Sequence, residues 1–241
     1  METITISNGI NCYTDASTMR VNDTMMSSAG YMIIADGKVI NSQYTIIDHV
    51  DNSYGELYAL FMGIKAVLKY SYRNRPINIF SDSMVSVDGL KTDVFRWHRE
   101  SGTLLAGSGG KISYQNVYSH IIHEVVNHHM KINIYHIMSH MNLRYKEERD
   151  RFRTCFNGIN MKDIGDDTID ELVHYNSLVD EMVKHSLKAF IEGETCGPAM
   201  CRNSEVAFHI PIDDRTLQQY AGLVNGAWPE SPKKKRRKHR A

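Results

Sequence analysis

The run Ile77-Asn78-Ile79-Phe80-Ser81-Asp82-Ser83 (INIFSDS) decides how this chain is read. Four residues of apolar strand character climb out of a core and stop at an acid flanked by serines. Asp15 in CYTDAS and Glu56 in DNSYGELYAL sit at comparable break points, and Asp180 lies in YNSLVDEMVKH. Taken singly, each acid is an ordinary turn, cap or helix-surface residue. Converging, the four would make a hard-oxygen site for divalent cations and phosphoryl-transfer chemistry.

Working outward from this stretch, periodicity sets the elements. Residues 3–14 are expected to form a strand running into Asp15, with Ser17–Ser28 a polar loop. Gly30–Ala35 and Lys38–Ile47 read as strands joined by an Asp36-Gly37 hairpin turn, giving an antiparallel meander. Asp51-Asn52-Ser53 offers N-cap side chains for a helix from Tyr54 to about Tyr72, with Leu57, Leu60, Phe61, Ile64, Val67 and Leu68 at helical spacing. Glu56 falls in its first turn. Ile77–Phe80 follows as a strand, and Ser83–Glu100 reads as a helix, so strand–helix–strand order implies a parallel crossover. SGTLLAGSGG (101–110) reads as a flexible loop, Ser113–His129 as a helix, Lys131–Met138 as the fifth strand and Asn176–Ile191 as the last long helix. Residues 141–175 look like an insertion that is helical at first. Residues 192–230 form a C-terminal extension with a strand-like Val206–Ile212 and a short helix at Asp214–Val224.

Composition narrows the setting. The 241 residues are 42% apolar and 23% charged, ordinary for one globular core with an appendage. No apolar run is long enough to span a membrane and no leader is visible at Met1–Ile10, so no membrane association is expected. Four widely spaced cysteines fit neither a zinc ribbon nor a disulfide framework, which suggests a reduced, intracellular location. The net charge of zero conceals a basic tail over 231–241, whose Lys233–Arg240 holds seven of the 28 Lys and Arg. Less these seven, 21 basic residues face 28 acidic ones, and a body of that sign repels nucleic acid unless cations intervene. Lys233, Lys234, Lys235, Arg236 and Arg237 read as a polycation for phosphates, as a nuclear-import signal or as a solubilising tail. The location is accordingly cytoplasmic, or nuclear if the tail is an import signal.

Order and spacing together resemble type 1 ribonuclease H. TDAS with Asp15, NSYGEL with Glu56, SDS with Asp82, IMSHMN with His140 and Asn176-x-x-x-Asp180 are similar to five family motifs in the family's order, across about residues 5–190. The resemblance implies an α/β ribonuclease H-like fold: a five-stranded mixed sheet, three strands antiparallel and then parallel ones, flanked by helices, over 1–191. It implies Asp15, Glu56, Asp82 and Asp180 as ligands of two Mg²⁺ (or Mn²⁺) ions about 3.5–4 Å apart, with Asp15 bridging and His140 moving protons or helping product leave. The implied reaction is endonucleolytic cleavage of the RNA strand of an RNA–DNA hybrid to 5′-phosphate and 3′-hydroxyl ends, by a monomer, with selectivity from 2′-hydroxyl contacts.

Ser17, Asn52, Ser83 and Asn176 are the implied substrate contacts, although Ser17 and Asn52 also fit plain turn and cap roles, and capping is the favoured reading of Asn52. Trp97 in FRWHRE either stacks on substrate or anchors the core. His140, one of twelve histidines, fits a surface role as well as a catalytic one. The chain departs from the family at Met84, where Gln is frequent, in the loop 101–110, which lacks the basic protrusion's cations, and in the 35 residues between His140 and Asn176. A DNA-directed nuclease of the same fold and an inactive nucleic-acid-binding module are the alternatives.

Overall fold

The computed structural model describes residues 4, 6–73, 75–100, 103–106, 108–194, 200–201, 206 and 208–224. The basic tail lies outside them. Strands β1 (Ile10–Val21), β2 (Thr24–Ala35) and β3 (Lys38–Asp48) form the antiparallel meander. β4 (Ile77–Ser81) pairs parallel with β1, and β7 (Ile132–His136) pairs parallel with β4. This is the expected mixed sheet, to which the two-residue β8 (Met200–Cys201) adds a sixth strand beside β3.

β2 is longer than periodicity suggested, and β1 is displaced, beginning at Ile10 rather than near residue 3. Ser17–Ser28 is not a loop: β1 runs on to Val21 and turns back through Asn22-Asp23, where Asn22 adopts φ 53°. Asn tolerates that left-handed conformation, which a tight hairpin turn requires. Asp15 thus lies within a strand rather than at its end.

Three strands share one register, and each rung has its own chemistry. Asn11, Asn78 and Asn133 are opposite one another, then Cys12, Ile79 and Ile134, then Tyr13, Phe80 and Tyr135, then Ser81 beside Thr14 and His136. The asparagine side chains form a ladder, Asn133 donating to Asn78 at 2.9 Å and Asn78 to Asn11 at 2.8 Å. A one-residue slip would turn each Asn to the other face and leave its amide without partners. The aromatic rung is stacked, with ring centroids 5.0 and 5.5 Å apart. Such pairs add about 0.5–1.5 kcal/mol each to simple burial.

Alternation sends these rungs into two core layers. Cys12, Ile79 and Ile134 pack beneath α1 (Asn52–Val67), α2 (Met84–Lys91) and α3 (Gln115–Asn127). Tyr13, Phe80 and Tyr135 pack beneath α4 (Lys146–Asn160) and α5 (Asp166–Ile191), which supply Phe152, Phe156 and Val179. Residues 206 and 208–224 lie on the first layer. Val206 accepts from Asn116, and α6 (Asp214–Leu223) buries Leu217 and Tyr220 in the same core.

The helices depart from expectation in two places. α2 stops at Lys91; β5 (His98–Glu100) lies where a continuous helix to Glu100 was expected, and it pairs antiparallel with β6 (Thr103–Leu105), within the stretch expected to be a flexible loop. α5 begins ten residues before Asn176, so Asn176 lies within the helix rather than opening it. Residues 208–212 form no strand, contrary to the reading of Val206–Ile212.

Candidate active site

Parallel pairing ends at Thr14 with Ser81, which brings Asp15, within β1, beside Asp82, the residue that follows β4. Glu56 reaches them from the first turns of α1, which lies close against β1 and β2. A Cβ on Gly55 would meet the Ser27 hydroxyl and approach Ala16 Cβ to 3.0 Å, so glycine here permits the close approach that delivers Glu56. Asp15, Glu56 and Asp82 each present an oxygen within 4.8 Å of the others. No helix among the described residues is long and apolar enough to cross a membrane.

The three acids share a buried, mutually repulsive environment. Burial, then the Asp82 and Asp180 charges, push the Asp15 carboxyl up to about 8. Burial, then Asp15 and Asp82, push Glu56 up to about 10. Asp82 is also raised, chiefly by burial. Partial compensation comes from the Ala16 N–H, which donates to Asp15 at 2.7 Å and also supports Glu56. Glu56 Oε2 is buried without a hydrogen-bond partner. Three carboxyl groups brought together with one oxygen unsatisfied offer hard-oxygen ligands of the kind that Mg²⁺ takes.

Asp180 stands beside this triad rather than in it. Its carboxylate is held by Lys184, one turn along α5, at 2.7 Å, and its charge acts on Asp15 and Asp82. Lys184 in turn lowers the pKa of Asp15, a cation built into the acidic pocket. His140 is not brought to the carboxylates by any bond. It is exposed at φ 55° and forms no hydrogen bond or ion pair among the described residues.

The expected substrate contacts divide in the same way. Asp51, not Asn52, caps α1, accepting from Tyr54 N at 2.9 Å, so the capping role considered for Asn52 is not its role. Asn52 is freed to hydrogen-bond the Glu56 carboxylate. Ser17 is half-buried on β1, on the Asp15 face of the strand. Ser83 caps α2, its hydroxyl bonded to Ser86. Trp97 is not on a helix: it follows a 3₁₀ turn and packs edge-on against Tyr118 at the core margin, which answers to its core reading. Asn176 is 3% exposed, and its Oδ1 is buried without a hydrogen-bond partner. Lys233, Lys234, Lys235, Arg236 and Arg237 fall outside the described residues.

Three supporting residues escaped sequence reasoning. The Ser139 side chain hydrogen-bonds the Asp82 carboxylate. His136 Nε2 lies 3.0 Å from the Asp82 carbonyl, and burial lowers the pKa of its imidazole. Asn160, at the end of α4, bonds both backbone groups of His136, accepting from its N at 3.0 Å and donating to its O at 2.7 Å. β7 is an edge strand, and this amide supplies the pairing that a further strand would. The only sequence signal was alignment of INIYH with INIFS, which sets His136 against Ser81.

The RNase H family profile matches residues 7–154, more than half of the chain. Among solved structures, the foamy viral protease–reverse transcriptase in complex with RNA/DNA hybrid is 14% identical at TM-score 0.48, covering 67% of this chain and 22% of that one. The PFV RNase H domain in solution is 16% identical at TM-score 0.47, covering 70% and 94%. RNase H1 from the halophilic archaeon Halobacterium salinarum NRC-1 is 14% identical at TM-score 0.40, covering 54% and 85%. The chain thus spans about a fifth of the viral polyprotein segment but most of the isolated domains. No curated protein sequence matches it.

Proposed function

The chain belongs to the ribonuclease H family, and from that premise we propose that it is a metal-dependent endonuclease hydrolysing the RNA strand of RNA–DNA hybrids. The observation that carries the proposal is the triad of buried Asp15 and Glu56 with half-buried Asp82, in which one oxygen, Glu56 Oε2, has no protein partner.

Asp15, Glu56 and Asp82 are the residues that would hold Mg²⁺ or Mn²⁺. Bound divalent ions, two in the full proposal, supply an activated water and screen the charge of the attacked phosphate. The chain's own residues prepare this. Asp15 lies within β1 and is fixed by its pairing with β2, and Asp82 directly follows β4, which pairs parallel with β1. Asn52 orients Glu56, Ser139 orients the Asp82 carboxylate, and His136 holds the Asp82 backbone. Asp180 completes the donor set only by exchanging Lys184 for an ion. His140, exposed and uncommitted, is proposed to exchange protons at the substrate side.

The test is cleavage of a hybrid labelled on its RNA strand. Cutting with Mg²⁺ or Mn²⁺, none in EDTA, and 5′-phosphate products are expected. Equal cutting of an all-DNA duplex would sink the substrate assignment, and full activity in EDTA the metal dependence.

Asn160→Ala provides a finer check on how the site is supported. Removing both bonds to the His136 backbone loosens the end of β7, whose His136 side chain meets the Asp82 carbonyl, and outer-layer losses of this kind cost metal affinity about 10–100-fold. Half-maximal cleavage is expected to need at least about tenfold more Mg²⁺, with hybrid affinity unchanged. An unchanged Mg²⁺ titration would show that Asn160 supports the fold alone.

A further inference from the structure

The proposed reaction asks an acidic body to hold a polyanion, and the loop 101–110, where cations are wanted, has none. The inserted α4 region has a different supply. Its Arg149 is paired with Asp170, Arg151 with Glu148, and Arg153 with Asp150 and Asp166. Arg144 and Lys146 are exposed and make no ion pair among the described residues. Between them Tyr145 is 61% exposed, an unusual position for so large a ring.

This surface is built rather than loose. Met141 and Leu143 pack down onto the aromatic core layer. Arg149 Nε donates to the Leu143 carbonyl at 2.9 Å while its guanidinium holds Asp170 on α5. Asn142 accepts from the N–H groups of both Arg144 and Tyr145. One exposed carboxylate, Glu147, stands against the two cations, since Glu148 is taken by Arg151.

The same loop begins at Ser139, which is bonded to Asp82. Five residues extend at most about 17 Å, or about five nucleotide steps at roughly 3.4 Å per step along one strand. Arg144 is therefore near enough to touch the same bound duplex. We propose that Arg144, Tyr145 and Lys146 form a docking platform for the nucleic-acid strand adjoining the cleavage point, the cations on phosphates and the phenol ring against a sugar. The inference rests on the nuclease reading above.

It is tested with the full chain and an uncleavable hybrid, measuring Kd across a salt series. Arg144→Gln with Lys146→Gln is expected to reduce the slope of log Kd against log salt by about 1.8, two contacts at about 0.9 each. Tyr145→Ala is expected to weaken binding by about five- to fiftyfold with the slope unchanged. The control neutralises Lys69 and Lys131, exposed cations at the opposite end of the sheet, and is expected to leave the slope alone. An active wild-type protein whose slope is the same in the Arg144/Lys146 double variant overturns the platform, as does an equal change in the control. A wild-type protein that neither cuts nor binds hybrid overturns the nuclease reading and the platform with it.

Discussion

Asp82→Asn is expected to abolish cleavage of the RNA strand while leaving hybrid affinity within about threefold. Asn keeps the shape of Asp, its amide can still accept from Ser139, and Asp82's backbone bond to His136 does not involve the side chain. What is lost is the negative charge, and with it one of three oxygens in the triad. Metal ions contribute several kcal/mol of transition-state stabilisation, and each 1.36 kcal/mol is tenfold in rate, so a loss on the order of 10³ in kcat is expected. Asp15→Asn should behave alike, because Asp15 lies within the neighbouring strand, beside Asp82. Asp180→Asn is expected to be milder, its carboxylate being already paired with Lys184. Single-turnover cleavage and binding, measured on the same preparations, separate these effects. Normal kcat in Asp82→Asn would remove the metal-site assignment altogether.

How much of this was legible in the chain depends on what each residue is asked to do. Residues whose role is set by local pattern were readable: the Asp36-Gly37 turn, the α1 stripe, and the strand ending before Asp82. The repeated Ile-Asn of Ile10-Asn11, Ile77-Asn78 and Ile132-Asn133 even encodes the parallel register, since only matched rungs satisfy the amide ladder. Residues set by tertiary context were misread. Asp15 looks like a strand stop because a carboxylate inside a strand is costly, and it is tolerated here through its neighbours and the Ala16 N–H. FRWHRE has helical composition, yet Trp97 is drawn onto Tyr118 and the helix ends early. α5 did signal its true length, with Ile169, Leu172, Asn176, Val179 and Val183 continuing one buried stripe, but Asn176 in that stripe read as the start of the helix. Ser139, His136 and Asn160 act across 24 to 57 positions of sequence, and no local pattern reports such pairings.

Stability should respond to pH in the direction opposite to that of ordinary ion-paired carboxylates. Asp15 and Glu56 keep their protons in the fold up to about 8 and about 10, whereas the unfolded chain releases them near 3.8 and 4.5. Over that window the unfolded state binds fewer protons, so without metal the free energy of unfolding falls as pH rises from about 4 towards 8–10. Glu56→Gln removes a carboxyl that must take up a proton on folding, while keeping most of the side chain's volume. In EDTA at pH 8 it is expected to unfold several degrees above the wild type, since one pKa unit is about 1.4 kcal/mol and each kcal/mol moves Tm by about 2–4 °C in a chain of this size. At pH 5, where the wild-type carboxyls are protonated, the two should coincide. Adding Mg²⁺ should raise the wild-type Tm at pH 8 by mass action and do little for Glu56→Gln. Thermal unfolding at the two pH values, with and without Mg²⁺, checks all four corners. A wild-type protein more stable at pH 8 than at pH 5 in EDTA would mean that the triad is not the charge-frustrated site described, and that its acids are already neutralised by protein cations such as Lys184.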